Sequence, residues 1–240
     1  MIIQKADEAR GIIVYFGGDV QTLQCKMKQF ADWSLENVVE KLAKNHPNWS
    51  VVAVQPDRME QDTFACYDSF VKSDLNGSPI YQPDKYKDGK ATLKLESRLK
   101  EIGAETQPKK IIGFSKGVVV LNQLVFEWKH SNSDFFKSIQ TLCWIDGGHN
   151  NPTDPVWITD NDTLQFLADS KVKIDIRCTP YQIQDRRRSW IGEQEAKFSH
   201  KLKQLLPDQR FRRKVFFQDE QPSLLNHFRA LDTFELLPIL

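Results

Sequence analysis

No window of this 240-residue chain holds the run of about eighteen apolar residues that a membrane-crossing helix needs, so no transmembrane segment is expected. A surplus of one charge sign is missing as well. With 33 Lys and Arg against 32 Asp and Glu the net charge is +1, which removes the electrostatic footing for nucleic acid or an anionic membrane as the main partner. The short basic runs at 186–188 and 210–214 then read as solvated faces. Cysteine is scarce, and Cys25, Cys66, Cys143 and Cys178 lie far apart, with neither metal-ligand nor redox-pair spacing. Two of them fall in apolar strand-like runs and read as small core residues. The first residues, Met-Ile-Ile-Gln-Lys-Ala-Asp, have neither the apolar stretch of a signal peptide nor the Arg- and Ser-rich pattern of a transit peptide. A cytoplasmic location is the expectation from them. Internal repeats and low-complexity tracts are also absent.

What the chain does have is 40% hydrophobic residues, enough for one large core and a single domain over 1–240. Six short apolar runs, at 11–16, 51–55, 109–113, 141–146, 172–178 and 214–218, alternate with helical patterns near 34–45, 90–102, 116–128, 162–169, 192–206 and 224–231. Such alternation predicts an α/β fold: a mostly parallel central sheet of about six strands with helices on both faces. Ser34 and Asp162 stand where N-caps belong. Two segments break the alternation, 57–88 and 147–160. Both follow strands and would lie at the carboxyl edge of the sheet as lid or substrate loops.

Between 109 and 121 the sequence reads Lys-Lys-Ile-Ile-Gly-Phe-Ser-Lys-Gly-Val-Val-Val-Leu. Gly-x-Ser-x-Gly alone is a common string, but here an apolar strand precedes it and a helical pattern follows. That is the context of a nucleophile elbow, in which Ser115 occupies a sharp turn and side chains at 113 and 117 would collide with the neighbouring strand and helix.

A serine hydroxyl needs a base within hydrogen-bond reach and a group that orients the base. In the α/β-hydrolase arrangement these follow in the order serine, acid, histidine, each after a later strand. Of the histidines after Ser115, His130 falls at a helix end, His200 inside a charged helical run, and His149 after the strand next to the serine, where it could line the pocket. His227 follows the last strand and is the expected base. Asp185, after the 172–178 run, is the expected acid, with Asp146, at the end of the preceding strand, as the alternative. The oxyanion would be bound by the amides of Lys116 and Gly18, the latter in the Gly17-Gly18-Asp19 loop after the first core strand. Asp19 is odd there, since it brings a negative charge to a site meant for a developing anion; a pair with Lys116 would offset it. No metal or organic cofactor is required.

Taken together, 14–21 (Val-Tyr-Phe-Gly-Gly-Asp-Val-Gln), 113–124, 144–149 (Trp-Ile-Asp-Gly-Gly-His), 179–182 (Thr-Pro-Tyr-Gln) and 226–228 (Asn-His-Phe) resemble a poorly characterised family of α/β-hydrolase-like proteins. Its animal members are mitochondrial and are lost in an inherited multisystem disorder. The resemblance runs from about residue 11 to 229. It implies an α/β-hydrolase fold with Ser115 as nucleophile, and it brings no settled substrate. Animal members carry an N-terminal targeting extension that is not seen in this sequence.

The expectation is therefore a serine hydrolase of the esterase, lipase or thioesterase type acting on a small acyl substrate, a lipid among the options. The alternative is an inactive hydrolase-fold protein that binds a protein partner or acts as a scaffold. A further variant is a membrane-surface lipase using Phe70, Ile80 and Tyr81 in an interfacial lid.

Overall fold

The computed structural model describes residues 1–27, 29–131, 134–148, 157–236 and 238–240. In chain order the elements are β1 (Ile2–Gln4), β2 (Ile12–Phe16), α1 (Leu35–Asn45), β3 (Ser50–Val54), β4 (Arg58–Glu60), β5 (Phe64–Cys66), α2 (Lys90–Lys100), β6 (Lys109–Phe114), α3 (Val118–Lys129), α4 (Asp134–Lys137), β7 (Ile139–Ile145), α5 (Asn161–Asp169), β8 (Lys173–Cys178), α6 (Pro180–Ile183), α7 (Ser189–Leu205), β9 (Phe211–Val215), α8 (Leu224–Arg229) and α9 (Thr233–Leu236). Seven strands form the main sheet in the order β1-β3-β2-β6-β7-β8-β9, and β4 pairs with β5 in a separate hairpin. All main-sheet neighbours are parallel except β1, which runs antiparallel to β3.

The apolar runs are unbroken because both faces of the sheet are covered. Along β2, Ile12, Val14 and Phe16 join the core beneath α2, α3, α5 and α7, while Ile13 and Tyr15 join the opposite core beneath α1, α8 and α9. The path from β2 leads to β3 on one side, and β6 then pairs on the other side of β2. The carboxyl ends of β2 and β6 therefore flank a switch point, the position where open α/β sheets form a crevice. Gly17 and Ser115 follow those two ends.

The six expected strands are the six parallel ones. Edge strand β1 escaped the sequence reading because it is only three residues long and largely exposed. The last strand is displaced: 214–218 was expected for its Val-Phe-Phe run, whereas β9 is Phe-Arg-Arg-Lys-Val at 211–215. Its arginines are accommodated by acids, Arg213 forking onto Glu195 at 2.8 and 2.7 Å and Arg212 Nε reaching Asp175 at 3.1 Å. Phe217, at φ +56°, lies past the end of the strand. Ser34 does cap α1, its Oγ accepting the Asn37 amide at 3.2 Å, but the α5 cap is Asp160 and not Asp162, with Oδ1 accepting the Thr163 amide at 2.9 Å.

Helix α2 begins after Gly89, which has no side chain to cap it. Glu127 on α3 supplies the cap from a distance. It is 1% exposed, and its carboxylate accepts the amides of Ala91 (3.0 Å) and Thr92 (2.8 Å) and the Thr92 hydroxyl (2.8 Å). Two buried amides and a hydroxyl would otherwise lack partners, so Glu127→Ala is expected to cost about 3 kcal/mol, and Glu127→Gln less, in urea unfolding. A cost under about 0.5 kcal/mol would show that water replaces the carboxylate.

Candidate active site

Ser115 is the first residue after β6 and stands at φ +53°, in the left-handed region that a residue with a side chain rarely adopts. A one-turn 3-10 segment, Ser115–Gly117, leads into α3. The turn is tight because it abuts the neighbouring strand: a Cβ on Gly117 would lie 2.1 Å from the Phe16 carbonyl oxygen, and one on Gly113 would lie 2.8 Å from the Gly117 oxygen. The expected steric need for both glycines is met by this packing.

Ser115 Oγ lies 2.9 Å from His227 Nε2, and His227 Nδ1 lies 2.6 Å from Asp146 Oδ2. With the imidazole neutral, Nδ1–H donates to the carboxylate and Nε2 accepts the serine proton, the tautomer that general-base chemistry requires. All three side chains are buried, at 3%, 4% and 0% exposure. His227 is presented by α8, whose N-cap Ser223 accepts the Asn226 amide at 3.1 Å. Its ring stacks on Phe114 at 4.6 Å between centroids and meets Tyr181 at 5.0 Å.

The acid on His227 is Asp146, the alternative, and not Asp185. Asp146 is the first residue after β7, between the strands carrying Ser115 and Thr179, and it too is left-handed, at φ +47°. Its Oδ1 accepts the Thr179 amide at 2.6 Å and its Oδ2 the Thr179 hydroxyl at 2.7 Å. Asp185 lies beyond the turn of α6, where its carboxylate accepts Arg188 Nε at 2.7 Å and the Arg187 amide at 2.9 Å. Its burial, which opposes ionisation, is outweighed by these bonds, and its pKa falls below the usual carboxylate value.

The expected role of the Gly18 amide also needs correction. Gly18 does reach the serine, since a Cβ there would lie 2.6 Å from Ser115 Cβ and 3.1 Å from Oγ, but its N–H donates to Gln21 Oε1 at 2.8 Å. Gln21 is fully buried; its Oε1 also accepts the Tyr15 hydroxyl at 2.7 Å, and its Nε2 donates to the Trp33 carbonyl at 2.6 Å. It therefore fixes the 17–21 loop against Ser115. Sequence reasoning assigns no role to Gln21 or Thr179, because a bond from Gln21 to the Gly18 and Trp33 backbone, or from Thr179 to a carboxylate 33 residues away, leaves no pattern in the sequence.

Asp19 and Lys116 both face the 57–88 segment. Asp19 Oδ1 accepts the Ala65 amide at 2.8 Å, and the buried Lys116 ammonium donates to the Gly77 carbonyl. Burial pushes the Asp19 carboxyl up, opposed by Lys116, the Ala65 amide and His227, and burial pushes the Lys116 ammonium down, opposed chiefly by Asp19. The two groups are coupled electrostatically, and each side chain also hydrogen-bonds backbone. The same segment is tied to the loop after β2 by the Val20 amide on the Thr63 carbonyl (2.7 Å) and the Tyr67 hydroxyl on the Gly17 carbonyl (3.1 Å). Of the three apolar residues expected in an interfacial lid, Phe70 is 6% exposed and packs edge-on against Phe16, Tyr81 is half-buried against Phe126, and Ile80 is 45% exposed.

His149 and most of the 147–160 loop lie outside the described residues. His200 is exposed and close to Gln204, as expected of a surface side chain. Among the described residues no group of three or more His, Cys, Asp or Glu side chains is placed to hold a metal ion, and no helix is long and apolar enough to cross a membrane.

Gly18→Ala is expected to place a methyl against Ser115 and to lower the rate of any Ser115 reaction at least tenfold with little change in fold, read from reactivity beside circular dichroism. An unaltered rate would mean that the loop moves aside.

Comparisons with known proteins bear on the family and the fold. The C2orf69 family matches over residues 2–109 and 87–206. The mouse (Mus musculus) mitochondrial protein C2orf69 homolog is 32% identical, with the match covering 95% of this chain and 79% of the mouse protein. Mitochondrial protein C2orf69 of Homo sapiens is also 32% identical, over 92% of this chain and 74% of its own length. Among solved structures, esterase PE8 superposes with a TM-score of 0.54 at 12% identity, covering 100% of this chain and 98% of the esterase. Zea mays acyl-protein thioesterase 2 gives a TM-score of 0.51 at 10% identity, covering 98% and 97%. At these identities the likeness shows the fold alone: an α/β-hydrolase sheet with its flanking helices.

Proposed function

The chain belongs to the C2orf69 family, and from the hydrogen-bonded series Ser115, His227 and Asp146 we propose that it is a serine hydrolase acting on an ester or thioester. In this reading Ser115 stands on a nucleophile elbow, and its Oγ attacks the acyl carbon as His227 Nε2 takes the proton. Asp146 stabilises the imidazolium through the Nδ1–H bond. The Lys116 amide, at the turn into α3, binds the oxyanion. Collapse of the tetrahedral species returns the proton from His227 to the leaving group. Water, activated by the same imidazole, then releases the acyl group from Ser115. The observation that carries the reading is the pair of bonds at 2.9 and 2.6 Å on opposite nitrogens of one buried imidazole. A histidine that served only packing would have no need of a left-handed serine on one side and a left-handed aspartate on the other.

A second reading has one observation in its favour. The Gly18 amide, the expected second oxyanion donor, is committed to Gln21, which suits a hydrolase-fold protein that binds a ligand without turning it over.

Labelling by a fluorophosphonate probe separates the two. The wild type is expected to label at Ser115, Ser115→Ala and His227→Ala not at all, and Asp146→Asn at least 1,000-fold more slowly because the wrong tautomer is stabilised. Asp185→Asn is expected to slow labelling by no more than about tenfold. A folded but unlabelled wild type would favour the binding protein.

A further inference from the structure

A left-handed aspartate has to be held in place by its surroundings. Thr179 fixes the Asp146 carboxylate, yet the backbone leaving Asp146 runs straight into Gly147 and Gly148, the two residues least able to hold a conformation unaided. The restraint on that turn comes from a separate element. Arg188, the residue that opens α7, extends its guanidinium across to it: Nη1 donates to the Gly148 carbonyl at 2.8 Å, Nε to Asp185 Oδ2 at 2.7 Å and Nη2 to Gln182 Oε1 at 3.4 Å. Gln182, 2% exposed, lies against the same glycine, where a Cβ on Gly148 would come within 1.9 Å of its Oε1. A planar fork with donors at fixed angles joins a carboxylate on one side to a carbonyl on the other in a set geometry, which a lysine ammonium on its flexible stem does not impose.

We propose that Arg188, aimed by Asp185, is a positioning residue that clamps the Gly147-Gly148 turn and thereby keeps the Asp146 carboxylate on His227. The role rests on the serine hydrolase reading, but the geometry it requires does not. It also gives Asp185 a function in the site one step removed from the imidazole. A plain surface ion pair, the competing account of two partly exposed partners three residues apart, would leave Asp146 and His227 untouched.

The test uses the full chain with Arg188→Ala, Arg188→Lys and Asp185→Asn, each checked for fold by circular dichroism. The first readout is the far-downfield proton resonance of His227 Nδ1–H, assigned by its absence in His227→Ala, which reports the bond to Asp146 whether or not the protein has activity. In Arg188→Ala it is expected to move upfield or broaden away, and the fluorophosphonate labelling rate to fall about tenfold. Arg188→Lys is expected to fall between this and wild type, and millimolar guanidinium to restore both readouts in Arg188→Ala. Wild-type resonance and rate in Arg188→Ala would overturn the proposal. Should that variant not fold, Asp185→Asn decides: a smaller change in the same direction supports the clamp, and no change overturns it. A wild type that never labels would defeat the hydrolase reading, and the resonance alone would then decide whether Arg188 positions Asp146.

Discussion

An imidazole can take a proton from Ser115 only while its other nitrogen is fixed, and in this fold that constraint falls on Asp146. Its carboxylate has no freedom, since it accepts two bonds from Thr179 and one from His227 within 2.7 Å. The three participants come from the ends of β7 and β8 and from α8, so their geometry depends on the register of the sheet. β6 pairs with β7 as far as Phe114 and Ile145, and the next residue on each strand, Ser115 and Asp146, turns left-handed. Each such turn carries a cost of about 1–2 kcal/mol for a residue with a side chain. The parallel strands and the close backbone contact at Gly117 are what sustain both.

The site was legible in the sequence where its demands are local. A serine between glycines at a strand end, a histidine after the last apolar run and a caps-and-runs pattern along the chain each need only a few adjacent residues to be recognised. Asp146 and Asp185 could not be separated that way, because both are acids shortly after a strand. The choice depends on α6, which carries Asp185 past the imidazole and onto Arg188. Gln21 was silent for a different reason: it bonds the Gly18 amide, the Trp33 carbonyl and the Tyr15 hydroxyl, and such side-chain contacts have no period. The 57–88 segment was unreadable because its strands are three residues each and its anchors, Ala65 on Asp19 and Gly77 on Lys116, join positions far apart in sequence.

Those anchors bear on chemistry as well as fold. The residues on either side of the expected oxyanion position are the half-buried Asp19 and the buried Lys116, and each side chain bonds backbone of the 57–88 segment. Each of these two groups offsets part of the burial that disfavours the other's charge, and together they tie the turn at Ser115 to an outer layer of structure. Esterase PE8 and the maize thioesterase share the sheet and its flanking helices with this chain, and a shared fold does not by itself fix a shared function.

The central claim is that His227 and Asp146 activate Ser115. The most direct measurement is intact-protein and peptide mass spectrometry after brief exposure of the full chain to p-nitrophenyl acetate and rapid acid quench. An acetyl group mapped to Ser115 in the wild type and absent from His227→Ala is the result this account predicts. A wild type that stays unmodified at Ser115, or one acetylated equally in His227→Ala, would contradict it.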